Sequence, residues 1–279
     1  ASSFEPRLML QKTLSKERLR NISFETRSEI ISQVRENATN DLSLENYVWV
    51  LSDDINYPIQ KANQFSTGMI FKKKRWLVDV DAYYKNIDGI TSFAFGFLTQ
   101  NDNTIQQGRG FTKGLDVLVQ KSAATWRAWI TYTYQDSQNQ FAALNGSNYF
   151  SANADITHSF NLAFNKKWNH FLFTTGWFWH SGKPYSEIND LGEIIAYNSQ
   201  RLPNYHRMDI SGSYEFRNEK GSSFKIGLSV YNLYNRNALI SKELERKFTN
   251  FTDFENPRYV IQNFYSLGMM PNVFFRVNF

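Results

Sequence analysis

The feature that most constrains this chain is a hydrophobic alternation of period two that recurs along its length. In the last eight residues Val273, Phe275, Val277 and Phe279 alternate with Asn272, Arg276 and Asn278, and Phe274 alone breaks the pattern. Successive side chains of a strand point to opposite faces, so such a stretch is apolar on one side and polar on the other. The same rule sets Met208, Ile210, Tyr214 and Phe216 against Arg207, Asp209, Ser211 and Glu215. It also sets Trp76, Val78, Val80, Ala82 and Tyr84 against Asp79, Asp81, Tyr83 and Lys85. A helical period fits none of these segments.

The pattern predicts about eleven strands, near 4–12, 19–33, 63–73, 75–90, 110–121, 125–137, 155–166, 169–182, 204–216, 222–235 and 260–279. Their connections alternate in length, short near 13–18, 74, 122–124, 167–168 and 217–221, and long near 34–62, 91–109, 138–154, 183–203 and 236–259. Short turns at one end of the strands and long loops at the other describe an all-β, antiparallel, up-and-down transmembrane barrel. A soluble β-sandwich also alternates, but its strands typically stop near 5–6 residues and its connections need no such alternation.

Composition agrees. Aromatic residues make up 16% of the 279 residues, yet mean hydropathy is −0.50, a combination explained if every second residue faces water. No stretch approaches the roughly 18 apolar residues of a spanning helix. The absence of cysteine removes disulfides, thiolate metal sites and cysteine nucleophiles. The net charge of +5 is spread over the whole length without a basic block, which gives no footprint for nucleic acid.

In a barrel, a Lys or Arg facing lipid at mid-depth costs about 2–4 kcal/mol. The registers read as outward are nearly free of charge in the middle of the strands. The inward ones carry Arg7, Glu25, Arg27, Asp79, Asp81, Asp116, Arg127, Arg207, Asp209, Glu215, Lys225 and Arg276. Of these, Arg127, Arg207, Asp209, Asp79 and Asp81 are the principal candidates for lumen-facing groups. Trp177, Trp179, Tyr132 and Tyr134 lie toward the long-loop ends, and Trp76, Trp126 and Phe279 toward the short-turn ends, as two interfacial girdles require. Strand parity adds one expectation. An odd number of strands leaves 4–12 with an open edge in lipid, so an N-terminal part of the wall is expected outside this chain.

Several segments resemble TonB-dependent receptors of bacterial outer membranes, particularly those of Bacteroidetes-type organisms. They include Ser3-Phe4-Glu5-Pro6-Arg7, Asp81-Ala82-Tyr83-Tyr84-Lys85-Asn86-Ile87-Asp88-Gly89-Ile90 and Gly110-Phe111-Thr112-Lys113-Gly114-Leu115-Asp116. Trp179-His180-Ser181-Gly182-Lys183-Pro184-Tyr185, Arg201 through Asp209, Val230-Tyr231-Asn232-Leu233-Tyr234-Asn235-Arg236 and the stretch from Tyr265 to Phe279 continue the likeness in order. The resemblance implies a barrel of about 22 strands enclosing a plug, of which residues 1–279 are the C-terminal part, the plug and first barrel half lying elsewhere. It implies active import of a scarce solute (siderophore, cobalamin, glycan or peptide class) with the TonB complex acting through the plug. Lipopolysaccharide and outer-membrane lipid, the barrel-assembly machinery and a surface lipoprotein are the further partners it implies. Val273, Phe275, Val277 and Phe279 resemble the C-terminal insertion signal read by that machinery. A passive porin or structural barrel subunit is the alternative.

No cofactor, metal site or catalytic residue is expected. The four histidines lack the spacing of a metal site. Ser181 beside His180, with Asp209 on the next strand, is the best hydrolytic constellation, but adjacent strand residues diverge. Ligand contacts are expected from the long loops, whose aromatics include Tyr47, Trp49, Tyr57, Tyr149, Tyr185, Tyr197 and Phe251. Lys242 to Lys247, rich in alternating charge, is expected to form a helical turn or two within a loop.

Overall fold

The computed structural model describes residues 4–29, 31–36, 46–53, 58–92, 106–189, 193–217, 223–247 and 258–278. The first strands are β1 (Arg7–Ser15), β2 (Arg18–Glu29), β3 (Ile31–Glu36), β4 (Asn46–Leu51), β5 (Gln60–Lys73), β6 (Trp76–Thr91), β7 (Gln107–Ser122), β8 (Trp126–Phe141) and β9 (Phe150–Ser151). There follow β10 (His158–Trp168), β11 (Phe171–His180), β12 (Pro184–Ile188), β13 (Ile194–Arg201), β14 (Tyr205–Arg217), β15 (Ser223–Tyr231), β16 (Leu239–Lys247), β17 (Arg258–Tyr265) and β18 (Met270–Asn278). Among the described residues no helix is long and apolar enough to cross a membrane.

A single antiparallel sheet takes β1, β2, β5, β6, β7, β8, β10, β11, β14, β15 and β18 in that order, with β9 added against β8. Each of these wall strands pairs with the next one along the chain, so the sheet is an up-and-down meander. Among the described residues β1 pairs only with β2, and β18 only with β15. The remaining strands form hairpins of their own, β3–β4, β12–β13 and β16–β17, inside three of the long connections.

Two of the sequence expectations are corrected here. The segment expected as one strand over 260–279 is two elements, because β17 turns back onto β16 and only β18 joins the wall. Lys242 to Lys247 is not helical but belongs to β16, paired residue by residue with β17.

Directly paired residues share a face, so the register traces each face across the whole sheet. One row runs Leu8, Phe24, Phe65, Tyr84 and another Met69, Val80, Val117, Tyr132, Phe160, Trp179. On the opposite face a row runs Gln11, Asn21, Gly68, Asp81, Asp116, Thr133, Ser159, His180, Tyr205. The twelve charged residues read as inward all fall on this second, polar face. Phe274, the one break in the C-terminal alternation, falls there too. It lies over Gly227, where an added Cβ would sit 2.2 Å from its ring, so the missing side chain of one strand makes room for the aromatic of the next.

Among the described residues no other layer covers the apolar face. Leu8, Leu10, Phe24, Phe65 and Met69 are each 41–61% exposed, and Val273 and Phe275 reach 73% and 65%. Among the described residues only eight apolar side chains are buried, far fewer than the core a sandwich of this size would make. An uncovered apolar face with every interior backbone group paired along the ladder suits hydrocarbon as the surrounding medium.

The two ends of the wall differ. At one end the strands reverse through tight turns, helped by left-handed backbone at Lys74 (φ 52°) and Asn169 (φ 48°). At the other the connections are long and fold into structure of their own, with a small core of Ile90, Phe141, Leu144 and Phe150 flanked by Ile87 and Tyr197.

Candidate functional site

The polar face carries its densest chemistry near the long-loop end of β11, β14 and β15. Arg207 lies on the face of the tyrosine ring of Tyr231, 4.0 Å from its centroid, and donates to the hydroxyls of Tyr231 (2.6 Å) and Tyr205 (3.4 Å). Its Nε also donates to Asp209 Oδ2 at 3.0 Å. The other carboxylate oxygen accepts the backbone N–H of Asn232 at 2.9 Å. Asn232 holds a left-handed conformation (φ 54°), and its side-chain amide donates to the carbonyls of Arg236 and Leu267, both at 2.9 Å. The Arg207–Asp209 pair therefore does two things. It neutralises itself and it fixes the point where the chain leaves the wall for the last long loop. Next to it His180 stacks on Tyr205, with centroids 5.0 Å apart, leaving an aromatic surface of Phe178, His180 and Tyr205 beside the paired charges.

The connection after β8 and the β12–β13 hairpin are tied together near the same end. Asp155, 2% exposed, accepts the Ser137 backbone N–H at 2.9 Å and pairs with the guanidinium of Arg201. Arg201 also donates to the carbonyls of Asp155 (3.2 Å) and Gly182 (3.1 Å). Asn198, left-handed at φ 46°, donates through its amide to the Ser151 carbonyl (2.6 Å) and to Asn153 (2.8 Å). On the exposed side of the hairpin, Glu187 accepts from Gln200 and Ser199. The bond from Gln200 is the larger cause, and together they hold its carboxyl below the usual range against the opposing effect of burial. At this end of β6–β8 a groove of about 440 Å³ opens between Arg109, Gln140, Asp88 and Ser147.

An antiparallel meander with one uncovered apolar face, one polar face and long loops gathered at one end narrows the family strongly. A family model described as "TonB dependent receptor-like, beta-barrel" matches residues 37–233. The chain belongs to the TonB-dependent receptor β-barrel family. No curated protein matches it by sequence. Solved structures share its fold. The ferric yersiniabactin uptake receptor of Yersinia pestis aligns with a TM-score of 0.64 at 10% identity, covering 98% of this chain and 37% of that one. A ferric citrate transporter in its unliganded form aligns at 0.60 and 10% identity, covering 98% and 38%. The ferric preacinetobactin receptor of Acinetobacter baumannii gives 0.60 at 13% identity, covering 97% and 36%. The chain thus spans little more than a third of the length of these receptors, as a stretch of transmembrane barrel wall in the outer membrane.

Within this receptor wall the sequence-predicted residues take distinct places. Asp79, Asp81, Arg127, Arg207 and Asp209 share the polar face, but they do not form one site. Asp81 sits directly across from Asp116 and shares a side-chain hydrogen bond with Asp79, Arg127 faces Asn165 near the short turns, and Arg207 and Asp209 form an ion pair. Val273, Phe275 and Val277 lie on the apolar face against Leu228, Ile226 and Phe224; Phe279 lies outside the described residues. Of the loop aromatics, Tyr57 and Phe251 also lie outside them, Tyr47 and Trp49 fall on β4, and Tyr197 packs on Phe150. His180 and His206 occupy opposite faces, His206 bonding Tyr234 (3.2 Å). Ser181 is no partner for His180. Its hydroxyl accepts the His158 backbone N–H at 3.1 Å, while the imidazole meets the Ser181 carbonyl at 2.7 Å. Sequence reasoning missed Asn198 and Asp155, whose spacing carries no motif, and gave Arg201 no role beyond the family likeness; the left-handed asparagine was the available cue.

Proposed function

We propose that this chain is the C-terminal part of the barrel of a TonB-dependent active importer, its polar face lining the lumen and its apolar face meeting lipid. The observation that carries the reading is the eleven-strand meander with a single-neighbour strand at each edge. A wall in hydrocarbon cannot leave backbone groups unpaired, so β1 and β18 each need a partner strand, and a barrel half outside this chain supplies them. A plug within the completed barrel would couple it to the TonB complex. The neighbouring structures named for ferric siderophores and ferric citrate favour an iron chelate among the scarce-solute classes. In this reading Phe178, His180 and Tyr205 offer the solute an aromatic surface near the outer rim, with the Arg207–Asp209 pair holding the wall beneath. The barrel-assembly machinery inserts it through β18, and it performs no covalent chemistry.

Uptake of radiolabelled ferric citrate and a ferric catecholate by cells expressing the full-length protein tests this. Accumulation of either chelate that disappears when TonB is deleted supports active import. Accumulation that persists without TonB overturns it in favour of a passive pore. Accumulation of neither, with the protein correctly assembled, overturns the iron-chelate assignment.

A further inference from the structure

We infer that the short-turn rim of the apolar face is a seat for anionic phospholipid, its phosphates held by Lys12, Arg18, Arg20, Lys121 and Lys166. All five lie on the apolar face by register, on the strand ends beside the short turns of β1–β2, β7–β8 and β10–β11. None makes an ion pair among the described residues. The strand residues described on that end of the face include no Asp or Glu; the nearest acid, Glu17 in the first turn, is paired with Lys73 at 3.6 Å. The long-loop end of the same face is built differently. There Lys113 bridges Asp136 at 3.0 Å, Lys61 faces Asp88 and Arg109 donates to Gln140 at 2.7 Å. One rim balances its own charge and the other does not.

Three of the five cations lie against aromatic rings. Lys121 Nζ sits 4.6 Å from the centroid of Trp76 and 5.9 Å from that of Trp126. Lys166 Nζ is 4.8 Å from Trp168, and Arg18 lies 5.8 Å from Phe71. Indole at a membrane interface places its ring at the level of the head groups, so Trp76 and Trp126 set the depth at which Lys121 meets a phosphate. A row of single-sign charge at that depth draws its counter-charge from the leaflet itself. The occupant is the phosphate of an acidic phospholipid, phosphatidylglycerol being the simplest, and not free phosphate, because the flanking apolar face takes acyl chains. This rests on the reading of that face as lipid-facing.

Native mass spectrometry of the full-length protein in detergent, with added phosphatidylglycerol, reads the seat directly. Each interfacial cation is worth about fivefold in acidic-lipid binding at low salt. The triple variant Arg18→Gln, Arg20→Gln, Lys121→Gln should therefore retain on the order of a hundredfold less phosphatidylglycerol. Lys113→Gln at the other rim should retain as much as the parent, and inorganic phosphate should not compete. Equal retention by parent and triple variant, or displacement by inorganic phosphate, overturns the proposal. If the triple variant fails to assemble, Lys121→Gln alone decides, with about fivefold weaker retention expected and unchanged retention contradicting it. A face that meets no lipid would instead reveal itself as normal assembly of Val80→Lys.

Discussion

The two ends of the same strands solve the problem of polar groups in opposite ways. At the short-turn end almost nothing is buried. Each turn is tied to the neighbouring strand by single backbone bonds, such as Ser122 N–H to the Arg75 carbonyl at 2.9 Å and Lys167 N–H to the Thr125 carbonyl at 2.7 Å, and charge and indole are left for the surroundings to meet. At the long-loop end the chain supplies its own surroundings. Phe141 is 0% exposed, Asp155 is paired with Arg201, and Asn139 and Asn198 are buried at 4% and 7%. The difference teaches where stability is local. The loop end has a core of its own and can be damaged on its own, whereas the turn end and the mid-wall depend on the medium and on strand pairing.

The sharpest break of this contrast is Phe141→Ala. Emptying a fully buried phenylalanine site costs about 3–5 kcal/mol, and here the loss falls on Ile90, Leu144 and Phe150 rather than on the ladder. The segment after β8 should become protease-sensitive while the barrel keeps its heat-resistant migration on electrophoresis. Loss of both together would show that the loop core and the wall are one cooperative unit. Next comes the middle of the wall. Val80→Lys or Ile210→Lys puts an ammonium on the apolar face at about 2–4 kcal/mol and should abolish assembled protein in outer-membrane fractions. Ser211→Lys, one position along on the polar face, should assemble normally. Equal surface yields for all three would invert or erase the two faces.

A smaller effect probes the close fit of the turn half. Gly227→Ala drives a methyl into the Phe274 ring, which lies 2.2 Å from the required position. Such overpacking costs about 1–3 kcal/mol, and the ring's free end allows part of it to relax. Lower thermal stability of the variant in detergent, restored when Phe274→Leu is added, is the expected outcome. A variant as stable as the parent would mean that β15 and β18 are not packed this closely.

The wall was legible from the sequence because its two media impose period two on every strand, and Val80, Ile210 and Val273 each announce their side. The loop hairpins were not. β12–β13 and β16–β17 lie within the long connections, outside the wall whose two media impose the alternation, so no clean period marks them. The charge pattern of Lys242 to Lys247 serves a helix and an exposed strand equally until pairing with β17 decides. The merging of β17 with β18 had the same origin. A run of β-favouring residues, Tyr259, Val260, Ile261, Phe264 and Tyr265, leads toward the alternation that starts at Val273, and nothing in the residues between says that the chain has changed partners. The candidate site was half legible: Arg207 and Asp209 follow from facing, but Asp155, Asn198 and Arg201 meet only through tertiary contact.

Glu187 offers the mildest test of the contrast, since it asks whether the loop end holds itself together even at its exposed surface. Its carboxylate accepts Gln200 Nε2 at 2.5 Å and Ser199 Oγ at 3.0 Å, which lowers its pKa from the ordinary 4.5. A depressed folded-state value means the contribution is present in full above 4.5 and fades as the pH falls through the lower, folded-state value. Amide hydrogen exchange across β12–β13 should thus speed up, beyond the intrinsic pH effect, once acid protonates Glu187. Glu187→Gln, which keeps an acceptor oxygen but cannot titrate, should flatten that dependence while leaving the turn-end amides unchanged. The same acid-induced loosening in the variant would show that the Glu187 carboxylate is not what orders the exposed side of the hairpin.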